Sequence, residues 1–562
     1  MSLPIPKVAP TFLDRAISYF DPVRGAQRQH ARMVIALTST GGRGGYIGAR
    51  RDRRATSEWA TTGGSADADL LPDLPALRDR TRDLERNNPI GSGAIATVVS
   101  NVVGTGLIPQ AQVDRELLRL TDDAADAWQR AAEREWWLWA GTPECDITRT
   151  QDFCALQDLA FRSTLANGDV FAIRKYRERP GLNPYGLKVQ LLEADRVSNP
   201  TKYREQAKLD NGNTLAGGVE LDTEGAPEAY HVLRQHPGDL TATVREWDRI
   251  LAFSPDTGER LVHHLFHRKR VEQTRGIPYL ASVIEPLKQL SRYSEAELMA
   301  AVVSAMFTVF IKTEKAEGID TIQSPEISTS AEMAALNGLA PPSSRDAFKL
   351  APGAMLDLLQ GEDVEFANPT RPNAQFDPFT VAIWKQIGAA LEVPYEIILK
   401  FFGQSYSASR AAFVLAWKFF QGRRDWLAWG FCQPFWNAVI TEAVARGRLS
   451  APGFFSDPLI RAAWCGAQWT GPPAGQIDPE SEANAAEKWI ELEVKTRQEV
   501  TAEITGGDWE TKHRQRAREE KMRVADGLSV DPNAAPAQGG DPPPAPKRDS
   551  RASRERKQEI SA

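Results

Sequence analysis

A mainly helical α+β fold is predicted for this chain by three observations. Apolar residues recur at helical spacing over most of its 562 residues, and the period switches to two within residues 170–266. A long apolar helix is then followed by a poorly periodic insert and a second helix. A chain of this length is expected to hold two or three folded regions with loose ends. Charged residues make up 25% and apolar residues 42%, which is ordinary for a packed protein and excludes a wholly disordered scaffold. The net charge of -6 gives no basic footprint, so tight binding along a phosphate backbone is not predicted. Cys145, Cys154, Cys432 and Cys465 are spaced too irregularly for a zinc knuckle and read as free thiols. The longest apolar run, residues 298–311, falls short of the roughly 20 residues that cross a bilayer and reads as a helix buried in protein.

Phe12, Leu13, Ala16, Ile17 and Phe20 stand at helical spacing ahead of a glycine-rich joint around Gly41, Gly42, Gly44 and Gly45. A basic stretch at 50–54 and an acidic, proline-punctuated stretch at 65–73 complete an arm, residues 1–73, with packing starting near Leu74. Helices are predicted at 75–86, where Leu77, Thr81 and Leu84 form a stripe, and at 94–103, closed by Gly104-Thr105-Gly106, with a stop between them at Asn87, Asn88 and Pro89. Two more follow, at 122–139 with Trp128, Trp136, Trp137 and Trp139, and at 153–166. Strand-like alternation covers 170–176, 187–192, 229–233, 250–253 and 261–266, so a helical and then β-rich region spans 74–278.

From 279 to 312 one helix of about 50 Å is predicted at 1.5 Å per residue. The insert 313–376 and a helix at 377–392 complete a stem with something at its tip. Residues 393–475 hold a polar loop at 403–409 and a long helical stretch at 410–446, which Gly422, Gly430 and Pro434 should bend and which carries Trp417, Trp426, Trp429 and Trp436. Further helices fill 476–525, and 526–562 reads as a disordered basic tail.

The motifs that suggest chemistry fail on context. Gly91-Ser92-Gly93-Ala94-Ile95-Ala96 matches the glycine pattern of a dinucleotide site, but it lacks the preceding strand and follows a helix and a proline. His263, His264 and His267 adjoin Arg268, Lys269 and Arg270, whose charge opposes a cation, so a surface turn or a subunit contact is the reading, with no metal. Glu193 with Asp195, sharing the open face of a strand, and Glu362 with Asp363 are acid pairs without a nucleophile or partner pattern. No catalytic residue and no cofactor is assigned. The tryptophan stripes, at helical spacing, are packing surfaces in preference to base-stacking platforms.

Several segments in sequence order resemble the lambda-type phage portal family. The strongest is Arg80-Thr81-Arg82-Asp83-Leu84-Glu85-Arg86-Asn87-Asn88-Pro89, continuing through Ser100-Asn101-Val102-Val103-Gly104-Thr105-Gly106-Leu107. Within it Arg82, Arg86, Asn87, Asn88, Gly104 and Gly106 are the signature positions. Leu192-Glu193-Ala194-Asp195-Arg196, Arg275-Gly276-Ile277-Pro278, Leu350-Ala351-Pro352-Gly353 with Gly361-Glu362, and Ser405-Tyr406-Ser407-Ala408-Ser409-Arg410-Ala411 follow. Phe401-Phe402-Gly403-Gln404 departs from the family's more polar approach to the serine-rich loop.

The resemblance implies a portal fold: a mixed α/β wing, a two-helix stem, a clip at 313–376 and a helical crown near 476–525. It implies a homo-oligomeric, dodecameric ring at the capsid vertex of the virion, assembled in the host cytoplasm, through which double-stranded DNA passes during packaging and ejection. The terminase large subunit, head-tail connector proteins and a major capsid or scaffold protein are the implied partners, with no membrane and no enzymatic activity. A weakly acidic chain suits a conduit whose cargo must slide. Gln404, Ser405, Tyr406, Ser407, Ser409 and Arg410 are the residues expected to face DNA at the constriction. The competing readings are a head-tail adaptor of a virion or gene-transfer particle, which is generally a far shorter chain, and an enzyme, for which the spacing supplies no residues.

Overall fold

The computed structural model describes residues 66–306, 310–313, 362–365, 376–475 and 478–528, except 182, 241–244 and 404, together with scattered positions before residue 66. The chain divides into a unit of residues 1–65 and a unit of residues 66–562. In the first, helical backbone is described at 17–19 and 22–24, and Phe12 is exposed. The glycine-rich joint, the basic stretch at 50–54 and the basic part of the tail lie outside the described residues, as does most of the insert.

Packing in the second unit begins earlier than composition suggests. Helix α1 (Ala66–Leu70) buries Asp67 and Leu70, and Leu71 follows it into the core. The acidic Asp67 is tolerated because its carboxylate accepts from the Thr274 backbone N–H at 2.9 Å and from the Thr274 hydroxyl at 2.8 Å. Helix α2 (Leu74–Asn87) buries Leu74, Arg78, Thr81 and Leu84 on one stripe. Asn88-Pro89 separates two helices as expected, the first ending at Asn87, but the second starts at Pro89 and not at residue 94. Asn88 is extended and its side chain caps helix α3 (Pro89–Val102) by accepting from Ile90 and Gly91, while Pro89 occupies the first helical position, where no N–H is needed. Gly91 and Gly93 therefore sit in the first turns of a helix that follows another helix, which is not the setting of a dinucleotide site.

Helices α4 (Arg115–Leu118), α5 (Asp122–Ala140) and α6 (Phe153–Asn167) lead into the sheets. Strand β2 (Asp169–Tyr176) is the centre of a three-stranded antiparallel sheet, between β3 (Leu187–Leu192) and β9 (Val262–Phe266). A five-stranded antiparallel meander comprises β4 (Gln206–Lys208), β5 (Thr214–Ala216), β6 (Val219–Leu221), β7 (Pro227–Leu233) and β8 (Trp247–Leu251). Strand β1 (Ile108–Ala111) pairs with the distant β12 (Ala467–Thr470), which ties the two ends of the unit together. The histidine segment is strand and not a surface turn: His263 is buried and the His264 side chain is 5% exposed.

An aromatic cluster fills the main core. Trp136 lies 5.0 Å from Phe153 and 5.5 Å from Trp436, and Phe153 stacks on Phe431 at 5.2 Å. The buried indoles of Trp139 and Trp436 donate to the carbonyls of Leu187 and Cys465, at 2.9 and 3.1 Å. Most of the tryptophans pack as their spacing implies, while Trp137 and Trp429 are exposed. Phe431 belongs to a wide π-helical turn, Ala428–Cys432, between α10 (Tyr406–Leu427) and α11 (Gln433–Ala445). The regular helix is interrupted there because Pro434 has no N–H to give to the preceding turn. Gly422, by contrast, stays inside α10. All four cysteines are free thiols.

The helix pair differs from its sequence expectation at one end. A 3₁₀ turn, Ala281–Val283, precedes helix α7 (Ile284–Met306), which is about 35 Å long at 1.5 Å per residue. Pro286 falls in its first turn, the one place where a helix accepts proline. The helix does not run to Lys312: β10 (Phe310–Thr313) pairs antiparallel with β11 (Glu362–Glu365), Ile311 opposite Val364. Helix α8 (Phe376–Ala390) matches the second predicted helix closely. Near their root the two helices bury Leu287, Leu290 and Ile387, and Tyr293 stacks on Phe376 at 5.3 Å. Farther along α7, Leu298 is 65% and Met299 60% exposed and Val302 is also open, as is Phe379 on α8. The described start of the apolar run expected to be buried, residues 298–302, is therefore largely open within a single chain.

Two glycines fix where the pair leaves the sheet. Gly168 ends α6 at φ +91°, and Gly276 lies against it: a Cβ on Gly276 would stand 1.8 Å from the Gly168 carbonyl oxygen. Gly276→Ala is expected to destabilise the chain by about 3 kcal/mol or more. Gly93→Ala, in open space within α3, should stabilise it by about 0.5 to 1 kcal/mol. Thermal melting of the two variants checks the opposite signs, and equal effects would contradict the packing described.

Candidate functional site

The root of the helix pair is organised by one carboxylate. Asp169, at the first position of β2, is fully buried. It accepts from Arg275 Nε at 2.6 Å and Nη2 at 3.1 Å, from Arg78 Nη2 at 3.0 Å and from the Gly276 N–H at 3.2 Å. His264 Nε2 stands 3.3 Å away. Burial alone would raise the Asp169 pKa, but the charges of Arg275 and Arg78 outweigh it and hold the carboxyl well below the usual range. Burial lowers the Arg78 pKa to about 10, which leaves it charged at neutral pH. Arg275 spends its remaining donors on backbone carbonyls, with Nη1 on Val197 at 2.7 Å and Nη2 on Ala194 at 2.8 Å. Two residues on from Gly276, Pro278 opens the approach to α7, and the Tyr279 N–H donates to Leu165 at 2.8 Å while its hydroxyl donates to the Leu391 carbonyl beyond α8.

Two signature positions, Asn88 and Arg82, support the same root. Asn88, besides capping α3, donates Nδ2 to Ser291 Oγ on α7 at 2.7 Å. Arg82 donates Nε to Asn167 Oδ1 at 2.7 Å and forms ion pairs with Glu193 and Asp195. Those two acids sit at a 3₁₀ turn, Ala194–Arg196, not along the open face of a strand. Glu193, Asp195 and His236 come close enough to share an ion, but Arg82 already pairs with both carboxylates. Asn87 donates to Asp83 at 2.6 Å, and Arg86 is exposed. Gly104 has φ +58° and Gly106 φ +110°, and Cβ atoms there would meet Pro472 Cγ at 2.9 Å and Cys154 Sγ at 2.5 Å. These positions shape and tie the scaffold.

The serine-rich segment is not a loop through Ser409. Ser405 is the N-cap of α10, and Tyr406, Ser407, Ser409 and Arg410 occupy its first turns. Gln404 lies outside the described residues. Ser405 and Ser407 are exposed, as are Phe401 and Phe402 before them, whereas Ser409 and Arg410 are half-buried and Arg410 lies 3.5 Å from Glu482 on α13 (Pro479–Glu491). Lys400 turns the chain with φ +54°. The segment opens a helix because Ser405 is extended and nothing from 406 to 421 breaks the run.

Sequence reasoning missed Asp169, which reads locally as part of an Asn-Gly-Asp turn, and missed Arg78 as its partner. Arg275 stood inside a signature segment without an assigned role. The strand histidines set a pH dependence. Burial lowers His264 to about 4 and, aided by Arg174 and Arg260, His263 to about 3. Both are neutral in the folded chain and bind protons on unfolding below about pH 6.5, so stability is lost as pH falls from there toward 4. The Asp169 contribution has its own window, present above its unfolded value and lost only as pH falls through its depressed folded value. The melting temperature should drop between pH 7 and pH 5, with a smaller drop in His263→Gln; a flat profile would contradict the burial. Asp169→Asn leaves two buried guanidiniums without a counter-charge and should destabilise by about 3 to 5 kcal/mol at pH 7, measured by denaturant melts.

Comparison with known proteins follows the same line. The family described as phage portal protein, lambda family, matches residues 52–424. The portal protein of Escherichia phage N15 is 27% identical over 513 residues, covering 88% of this chain and 92% of that protein. Portal protein B of Escherichia phage lambda is 26% identical over 517 residues, with 88% and 92% covered. Among solved structures, a chain from the neck of a native gene transfer agent particle, computed with C12 symmetry, aligns at 15% identity with a TM-score of 0.38, covering 76% of this chain and 92% of that one. That overlap is too loose to carry a structural argument. With two thirds of its length matched and signature positions seated at the root of its helix pair, the chain belongs to the lambda family of phage portal proteins.

Proposed function

We propose that the chain assembles into a ring at the capsid vertex of a tailed phage or prophage, serving as conduit for double-stranded DNA during packaging and ejection. In this reading it is a structural part and not a catalyst. The sheets and the helices around them form the wing, α7 and α8 the stem, residues 313–376 the clip and 476–525 the crown. The terminase large subunit docks at the clip during packaging, head-tail connector proteins dock later, and a major capsid or scaffold protein surrounds the wing. A dodecamer is the subunit number the family implies.

The single observation that carries the ring is the uncovered apolar surface on α7. Among the described residues of the outer α7, Leu298 and Met299 are more than half exposed and Val302 is partly open. Burying a leucine or methionine side chain is worth about 1.5 to 3 kcal/mol, and rotationally related copies can supply that shelter through contacts that close. No described helix is long and apolar enough to cross a membrane. Exposed Ser405 and Ser407 present neutral hydroxyls at the constriction, where contacts to phosphate are weak and replaceable. Arg410, paired with Glu482, and Lys400 flank them.

Two measurements test this reading. Size analysis with negative-stain imaging of the purified protein should show an annulus with a central hole. Leu298→Glu with Met299→Glu should convert rings to single chains while leaving the melting temperature within a few degrees; intact rings in that variant would count against the stem contact. Ser405→Arg with Ser407→Arg should slow packaging more at low than at high salt, because the added charges hold phosphate by a screened attraction. Rates that do not respond to salt would remove these serines from the path of the DNA.

A further inference from the structure

A cleft of about 460 Å³ lies where β9 meets the Ala428–Cys432 turn and α11, a size typical of small-ligand sites. Arg174, His263, Arg260, Arg461 and Trp429 line it, together with Glu259. Arg174 and His263 project from one face of the same sheet. His263 pairs with Ala172, and Arg174 stands two residues farther along β2. Both are more than nine-tenths buried, at 9% and 4% exposure.

The hydrogen bonding of these two side chains is incomplete. Arg174 donates Nη1 to Glu259 at 3.1 Å and Nη2 to the Pro434 carbonyl at 2.5 Å, yet its Nε–H has no acceptor among the described residues. His263 Nε2 is likewise without a partner among them. A buried polar group left unpaired costs about 1 to 3 kcal/mol, and here two such groups line one cleft. The charges there do not balance either: Glu259 is the one acid among the lining residues, and it already pairs with Arg174 and Arg461. Arg260 adds a further positive charge at the opening, where the indole of Trp429 is 68% exposed.

We propose that this cleft is a binding site for an oxyanion, a carboxylate or a phosphate group, which accepts from Arg174 Nε and from the Nε2–H tautomer of His263 beside the Trp429 wall. The group has two sources, an acidic side chain of a neighbouring copy or a free anion. The site itself does not depend on ring formation; only the choice between sources rests on the ring reading.

Inorganic phosphate and acetate, titrated at constant ionic strength into single-chain and ring fractions and followed by calorimetry, test it. Saturable binding of either anion to single chains is expected. It should weaken roughly two- to fivefold in Arg260→Gln, whose side chain is exposed, and about tenfold in Arg174→Lys, which keeps the charge and loses the Nε donor. Binding to single chains but not to rings supports the site and identifies a neighbouring carboxylate as occupant. Binding to both supports it with a free anion. No saturable binding to single chains, or binding unchanged in both variants, overturns the proposal.

Discussion

The fold depends on a buried charge being met from three directions. Asp169 cannot sit at zero exposure without the guanidiniums of Arg78 and Arg275, and those cannot be buried without it. Each comes from a different layer: Arg78 from a helix of the N-terminal part, Asp169 from the central strand and Arg275 from the segment that leads to the long helix. Removing any one strands the others, so the three layers hold a common register. The Gly168–Gly276 contact shows how tightly they are held, since not even a methyl group fits between them.

This constraint connects fold to proposed function. The proposed role, in which α7 and α8 pass force through a ring, requires a rigid root, and the root of this helix pair is made of charge-assisted hydrogen bonds to backbone and side chain. The Asn88–Ser291 bond and the Tyr279 hydroxyl on Leu391 extend the same support to both helices. Above the root, Leu298 and Met299 of α7 are left open among the described residues. Rigidity at the base and incompleteness above it describe a part made to be finished by its neighbours.

Much of this was legible in the sequence, and the exceptions have physical reasons. The helices around Leu84 and Ile387 and the strands at β2, β3 and β9 were readable because each is long enough to show a period. Strands β4, β5 and β6, at three residues each, are too short to show one. Helix α1 was hidden by its acids, since burial of Asp67 is made possible by Thr274, 207 residues away. Asp169 was hidden for the same reason, its arginine partners lying 91 and 106 positions off. The histidines resembled a surface turn because three basic residues follow them, whereas the strand ends just before those charges. The serine segment gave its composition but not its helical start, which depends on the single extended residue Ser405.

The short ladder between Phe310–Thr313 and Glu362–Glu365 has a consequence of its own. It clasps the two ends of everything between residues 313 and 362, so the separation of those ends is set by backbone pairing and not by the length of the intervening chain. Lengthening such a loop adds only about 0.6 kcal/mol per doubling. A change in the length of the intervening stretch is therefore absorbed without moving the paired residues.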